Sequence, residues 1–149
     1  MKTKTAPAPG TFTLHNPPGL YDPRPNGYSH VASVAPGARW VLVAGQGGET
    51  ADGRLSPDFR TQVRQAFANL RVALAAAGAA PADVAGLTAL VVDHDERRLA
   101  VFGEELAVAF GSGHLPTCTL IPVPRLALDG MLFEVAATAC LAGGAGLDA

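Results

Sequence analysis

Hydrophobic positions along this chain follow two spacings. Phe59, Val63, Ala66, Phe67, Leu70 and Leu74 recur at helical intervals, which predicts a helix with one apolar stripe. Ser56 supplies an N-cap, Pro57 suits the first helical position, Asp58 meets the positive end of the dipole, and Gly78 ends the helix. A second helix follows the capping residues Asp93, His94 and Asp95. It carries Leu99, Phe102, Leu106, Ala109 and Phe110 on its apolar side and stops at Gly111 and Gly113.

The remaining apolar residues come in short β-rich runs. SHVASV and RWVLVAG flank the turn Ala35-Pro36-Gly37 and read as a hairpin. The second run is continuously apolar, which predicts a central strand covered on both faces. LTALVV at 87–92, PTCTLIPVPR at 116–125 and MLFEVAATAC at 131–140 supply three more strands, with a turn at Asp129-Gly130 between the last two. Two strands, a helix, a strand, a helix and two strands predict an α+β fold with a mixed sheet and both helices on one face. An apolar open face would then call for an oligomer.

The strand at 116–125 contains prolines. Pro122 and Pro124 are two apart, so both remove a backbone donor from the same edge. Such a strand pairs on one side only, which predicts a sheet edge or a subunit boundary. Cys118 and Leu120 share one of its faces.

Residues 1–27 are rich in Pro and Gly and read as an extended segment without helix or sheet, frayed over 1–10. Residues 28–141 form a single domain, and 142–149 a flexible tail. Composition adds exclusions: 149 residues with 48% hydrophobic content suffice for one core, and the net charge of -2 lacks a nucleic-acid footprint. Arg60, Arg64 and Arg71 read as the wet face of a helix. The N-terminus has no apolar run after its lysines, and no stretch is long enough to span a membrane, so the expected location is the cytoplasm. Cys118 and Cys140 are expected to be reduced.

Candidate chemistry is sparse. Cys118 is either a small buried thiol or a nucleophile served by His114, and the sequence does not tie those two together. His30, His114 and Cys118 lack metal-ligand spacing, so no metal is expected. His15 and His94 are expected in solvent. GQGGETADG lacks a P-loop lysine and reads as a flexible turn. Glu134 interrupts a strand otherwise almost free of charge; it lies either on a solvated face or in a cleft. Tyr28 starts the first strand or serves a pocket.

GYSHV, VAGQGG, QVRQAFANLRVALAAAG, VVDHDE and the PxxTLIPVPRLALDGMLFEV ending occur in this order. Together, over roughly residues 16–140, they resemble the RidA (YjgF-type) reactive-intermediate deaminase family. The resemblance implies a chorismate-mutase-like fold, in which three subunits pack their sheets into a central barrel and form three intersubunit clefts for a small-molecule ligand. It implies hydrolysis of 2-imino acids to 2-keto acids and ammonia without a cofactor. By the same resemblance Glu134 helps hold the attacking water, Tyr28 belongs to the catalytic cleft, and Gly45 offers a backbone N–H. Leu120 and Val101 fall at ligand-binding positions, Val101 where the family has asparagine, and Ala44 stands where it has serine. Cys118 replaces the arginine that clamps the substrate carboxylate. The water site is kept and the carboxylate site is dismantled, which leaves an imine hydrolase of altered substrate, a non-catalytic ligand-binding trimer, or a thiol function of Cys118 as the competing readings.

Overall fold

The structure, a computed structural model, describes residues 11–144. Its elements are β1 (Phe12–His15), β2 (Val31–Val34), β3 (Arg39–Gly47), α1 (Phe59–Ala76), β4 (Val84–Val92), α2 (Glu96–Phe110), β5 (Thr117–Val123) and β6 (Phe133–Leu141). The main sheet runs β3-β6-β4-β5. Its β4–β5 pair is parallel and the other two pairs are antiparallel. The fold is α+β, a mixed sheet with both helices on one face, as the pattern predicts.

Alternation along β6 decides which residues meet the helices. Phe133, Val135, Ala137 and Ala139 point into the core, and the residues between them point to the opposite face. Phe133 is fully buried. Its ring lies 5.7 Å from Phe102, 6.0 Å from Phe67 and 6.1 Å from Phe59, so one side chain of the central strand touches both helices. The apolar stripe of α1 is buried throughout its length.

Several local expectations need correction. The cap of α1 is Asp58, not Ser56: its carboxylate accepts from the Thr61 backbone N–H at 2.8 Å. Ser56 instead accepts from the Asp58 N–H, one turn earlier. Asp95 caps α2 by accepting from the Arg98 N–H at 2.7 Å.

The N-terminal segment is not free of sheet. Residues 12–15 pair antiparallel with β2 as a separate two-stranded ribbon, and residues 24–26 make a 3-10 turn. β2 therefore does not form a hairpin with β3. Phe12 packs with Ala85 and Cys140 and covers one end of the sheet's open face. β3 is an edge strand rather than a central one; Trp40 and Leu42 are 57% and 77% exposed. The expected fraying at 1–10 and 145–149 lies outside the described residues. Within 142–144, Gly143 packs so closely on the Gly37 carbonyl that no side chain would fit.

The proline strand is an edge, as expected. The Pro116 carbonyl accepts from the Ser29 N–H, away from β4. By alternation Pro122, opposite Val91 in the ladder, also presents its missing donor outward, where it costs no pairing.

Two polar clamps lock the layers. Gln62 of α1 is fully buried. Its amide donates to the Ser56 and Gly130 carbonyls at 2.7 and 2.8 Å and accepts from the Leu132 N–H at 2.8 Å. This ties the loop before α1 to the turn that starts β6. Gly48 packs directly on the Gln62 backbone, and Asn69 donates to the Gly47 and Glu49 carbonyls. The glycine-rich loop is thus held rather than flexible. The second clamp adds to the wet-face reading of the arginines, of which Arg64 and Arg71 are exposed as expected: Arg60 and Arg64 both hold Glu105 of α2, at 2.7 and 3.0 Å, and Glu105 is only 3% exposed. Arg71 donates to the Ala109 carbonyl at the far end of α2.

Gln62→Ala removes three part-buried hydrogen bonds to backbone groups and empties the space of a fully buried side chain. It should lower the unfolding free energy by about 2–4 kcal/mol, read as a reduced urea midpoint with unchanged slope. Glu105 carries a pH dependence. Burial works to raise its pKa, but Arg64 and Arg60 together outweigh it and hold the carboxyl below its ordinary 4.5. A depressed folded-state pKa contributes stability above the unfolded value, lost as pH falls through the folded one. Urea midpoints from pH about 6 down to about 3 should fall more steeply in the native chain than in Glu105→Gln. Parallel profiles would show that the clamp is not felt.

Candidate functional site

A cavity of about 750 Å³ opens between the 24–28 turn, α2 and the start of β5. Tyr28, Cys118 and Leu120 all line it. Tyr28 arrives there because Ser29 bridges to Thr117 in parallel register, so the residue before the bridge lies beside the mouth of β5. Tyr28 precedes the strand rather than beginning it; β2 starts at Val31.

Tyr28 is fixed by neighbours of its own loop. Its hydroxyl is hydrogen-bonded to the Tyr21 hydroxyl. The His30 ring stands edge-on to both tyrosines, with centroids 5.0 Å from Tyr21 and 5.7 Å from Tyr28. His30 Nε2 lies 2.8 Å from the Tyr21 carbonyl. A carbonyl only accepts, so this nitrogen carries the proton. The His30 N–H donates to Asn16 Oδ1, which anchors the cluster to the segment after β1.

Cys118 is a neutral thiol in this setting. Burial pushes its pKa up to about 11, which removes the thiolate that nucleophilic or redox chemistry requires. His114 does not serve it. The imidazole Nε2 is 2.7 Å from the Val84 carbonyl, and the ring is buried against Phe12 and Phe110. Desolvation holds its pKa below the ordinary histidine value, against the pull of the Val84 hydrogen bond and Asp83. His94 is half-buried rather than solvated, and its Nδ1 has no hydrogen-bond partner among the described residues. Among the described residues no group of three His, Cys, Asp or Glu side chains is arranged to hold a metal ion.

Gly45 and Glu134 meet elsewhere. The β3–β6 register slips between Val43 and Gln46, and this bulge takes Ala44 and Gly45 out of the regular ladder. A Cβ on Gly45 would overlap the Glu134 carboxyl, so glycine is what lets that carboxyl lie over the bulge. Glu134 makes no hydrogen bond or ion pair with another described residue. Gly45 and Glu134 line a second depression of about 740 Å³ on the β3 side, with Asn69, Leu128 and Met131.

One chain therefore carries two half-constellations: Tyr28, Cys118 and Leu120 in one cavity, Gly45 and Glu134 in the other. Val101 lines neither; it packs against the core from α2. The sequence reading missed Arg24 and Gly103, both of which line the first cavity. A glycine in mid-helix is the signal that marked Gly103.

A family model described as endoribonuclease L-PSP matches residues 22–141. The RutC family protein YjgH of Escherichia coli K12 is 35% identical over 95 residues, 64% of this chain and 70% of that protein. The crystal structure of YyfB from Yersinia pestis, a Rid family protein of unknown function, superposes with a TM-score of 0.83 at 34% identity, covering 88% of this chain and 99% of that one. Rv2704 from Mycobacterium tuberculosis, of the YjgF/YER057c/UK114 family, gives a TM-score of 0.58 at 31% identity over 87% and 98%. These neighbours share the chorismate-mutase-like arrangement of two helices on a mixed sheet. With a family match across 22–141, this chain belongs to the endoribonuclease L-PSP family, of the YjgF/RidA type.

Proposed function

We propose that the protein is a RidA-like small-molecule hydrolase that assembles as a trimer and acts on an imine or enamine lacking a carboxylate anchor. The observation that carries this is the split site. Tyr28 with Cys118 and Gly45 with Glu134 occupy separate cavities in one chain, and a cleft shared by two copies joins them. The open face of the sheet supports the assembly. Leu42, Thr138 and Gly86 form one row, Ala136, Thr88 and Thr119 the next, and Glu134, Leu90 and Ile121 a third. That surface is small or apolar apart from Glu134, and a soluble monomer rarely leaves so much of it uncovered.

In the joined cleft Glu134 accepts a hydrogen bond from water and aims it at the imine carbon. Water oxygen bonds to that carbon, the nitrogen takes up protons, and the C–N bond breaks to leave a carbonyl and an amine or ammonia. Tyr28, held by Tyr21, shapes the opposite wall. The word endoribonuclease in the family description finds little support in the charge. Net charge is -2, and Arg24, Arg54, Arg60, Arg64 and Arg125 each pair with a carboxylate, which leaves a poor track for phosphates. No helix among the described residues is long and apolar enough to cross a membrane. Two free cysteines fit a reducing compartment such as the cytoplasm.

A second reading, a ligand-binding trimer without turnover, is favoured by Cys118 itself. A thiol cannot replace the two-pronged donor at the carboxylate position.

Sedimentation should give a trimer at micromolar concentration, and a stable monomer would remove the shared cleft. With 2-aminoacrylate generated in a coupled assay, keto-acid formation should be at least about thirtyfold slower than in an arginine-bearing relative, because losing a desolvated bidentate contact costs ~2–5 kcal/mol. Cys118→Arg should recover part of that. Equal rates in the unmodified protein would show that the carboxylate is held by another group.

A further inference from the structure

We propose that the cavity beside α2 takes an uncharged, largely apolar small molecule, and that Gly103 keeps the space for it open. The inference rests on the reading above that this cavity is a ligand half-site, and it names the class of ligand. Its walls are supplied by Leu99, Phe102, Leu106, Phe110, Leu115 and Leu120. Leu99 occupies an apolar-stripe position yet is 48% exposed, because it faces the cavity instead of the core. A volume of about 750 Å³ lies within the range of small-molecule pockets.

Arg24, the one charged residue among the described residues lining the cavity, and the Tyr28 hydroxyl are already engaged, and the other polar side chains, Asn26, Ser112 and Cys118, are neutral. Arg24 closes its fork on Asp22, Nε to Oδ1 at 2.8 Å and Nη2 to Oδ2 at 2.9 Å. The Tyr28 hydroxyl is bonded to Tyr21. Cys118 offers only a weak donor. An entering carboxylate would lose water and gain no free cation, whereas a neutral apolar molecule loses little.

Gly103 is an independent observation. It sits inside α2, where glycine is less favourable than alanine. A Cβ there would meet nothing within 4 Å, so packing within the chain does not demand glycine. Its position on the cavity wall does: any larger side chain would project into the ligand's space.

The test uses the full chain and two probes of one shape, naphthalene-2-carboxamide and naphthalene-2-carboxylate, titrated by calorimetry. The amide should bind at least about tenfold more tightly than the carboxylate. Gly103→Leu should abolish amide binding while the thermal midpoint stays or rises; Gly103→Ala should weaken binding by a smaller factor. Should Gly103→Leu fail to fold, Ala107→Phe on the same wall makes the same test. Carboxylate binding as tight as amide binding, above all if lost in Arg24→Ala, overturns the proposal. So does amide binding unaffected by the filled variants, or no amide binding at saturation. Amide binding without imine turnover leaves this proposal standing and removes hydrolysis. Turnover without amide binding does the reverse.

Discussion

The burial of Phe133 between both helices is the constraint on which the rest depends. Its ring contacts Phe59, Phe67 and Phe102, and no other register of β6 would place an aromatic residue at that point. A shift by one residue would exchange every inward side chain for an outward one. Because Phe133 is inward, Glu134 is outward. The only carboxylate of the strand is thereby set on the open face, beside Gly45, without any polar interaction having to specify it. The Gln62 clamp reinforces this register, since it holds the Leu132 N–H one residue before Phe133. Core packing therefore positions the candidate chemistry, and the chemistry contributes little to the fold.

The same logic explains why the site is divided. β3 and β5 lie at opposite edges of the sheet. Cys118 and Leu120 ride on β5, and Gly45 rides on β3. A four-stranded sheet separates the two edges by three strand spacings, on the order of 14 Å, too far for one small substrate to touch both. The proposed closure between copies would bring an edge of one sheet against an edge of another. The unequal edges suit this: Pro122 blunts part of β5, and the bulge interrupts β3. Neither edge invites open-ended strand addition.

The helices were legible in the sequence because their signal is local. The α1 stripe and the Asp95 cap of α2 can be read within a few turns of chain. The edge position of β3 was not legible, because a continuously apolar strand reads as central whether its cover comes from its own chain or from another. β1 was hidden by its surroundings: four residues between Pro-rich segments form a strand only through pairing with residues 31–34. The clamp made by Arg60 and Arg64 was not legible for a related reason, since Glu105 is about forty residues away in sequence. Of the site, Cys118 and Leu120 were placed correctly on one strand face. The separation of Tyr28 from Glu134 within a chain follows from the sheet order, which no local pattern encodes.

The split site is tested most directly by cross-linking. In a Cys118→Ala, Cys140→Ala background, Glu134→Cys and Asn26→Cys leave two thiols, one on the open face and one at the exposed rim of the other cavity. A short bifunctional maleimide should join position 134 of one chain to position 26 of another, and peptide mapping of mixed light- and heavy-isotope chains should find the bridge between unlike copies. A bridge found only within single chains, or no bridge between copies at concentrations where the protein is associated, would contradict the shared cleft.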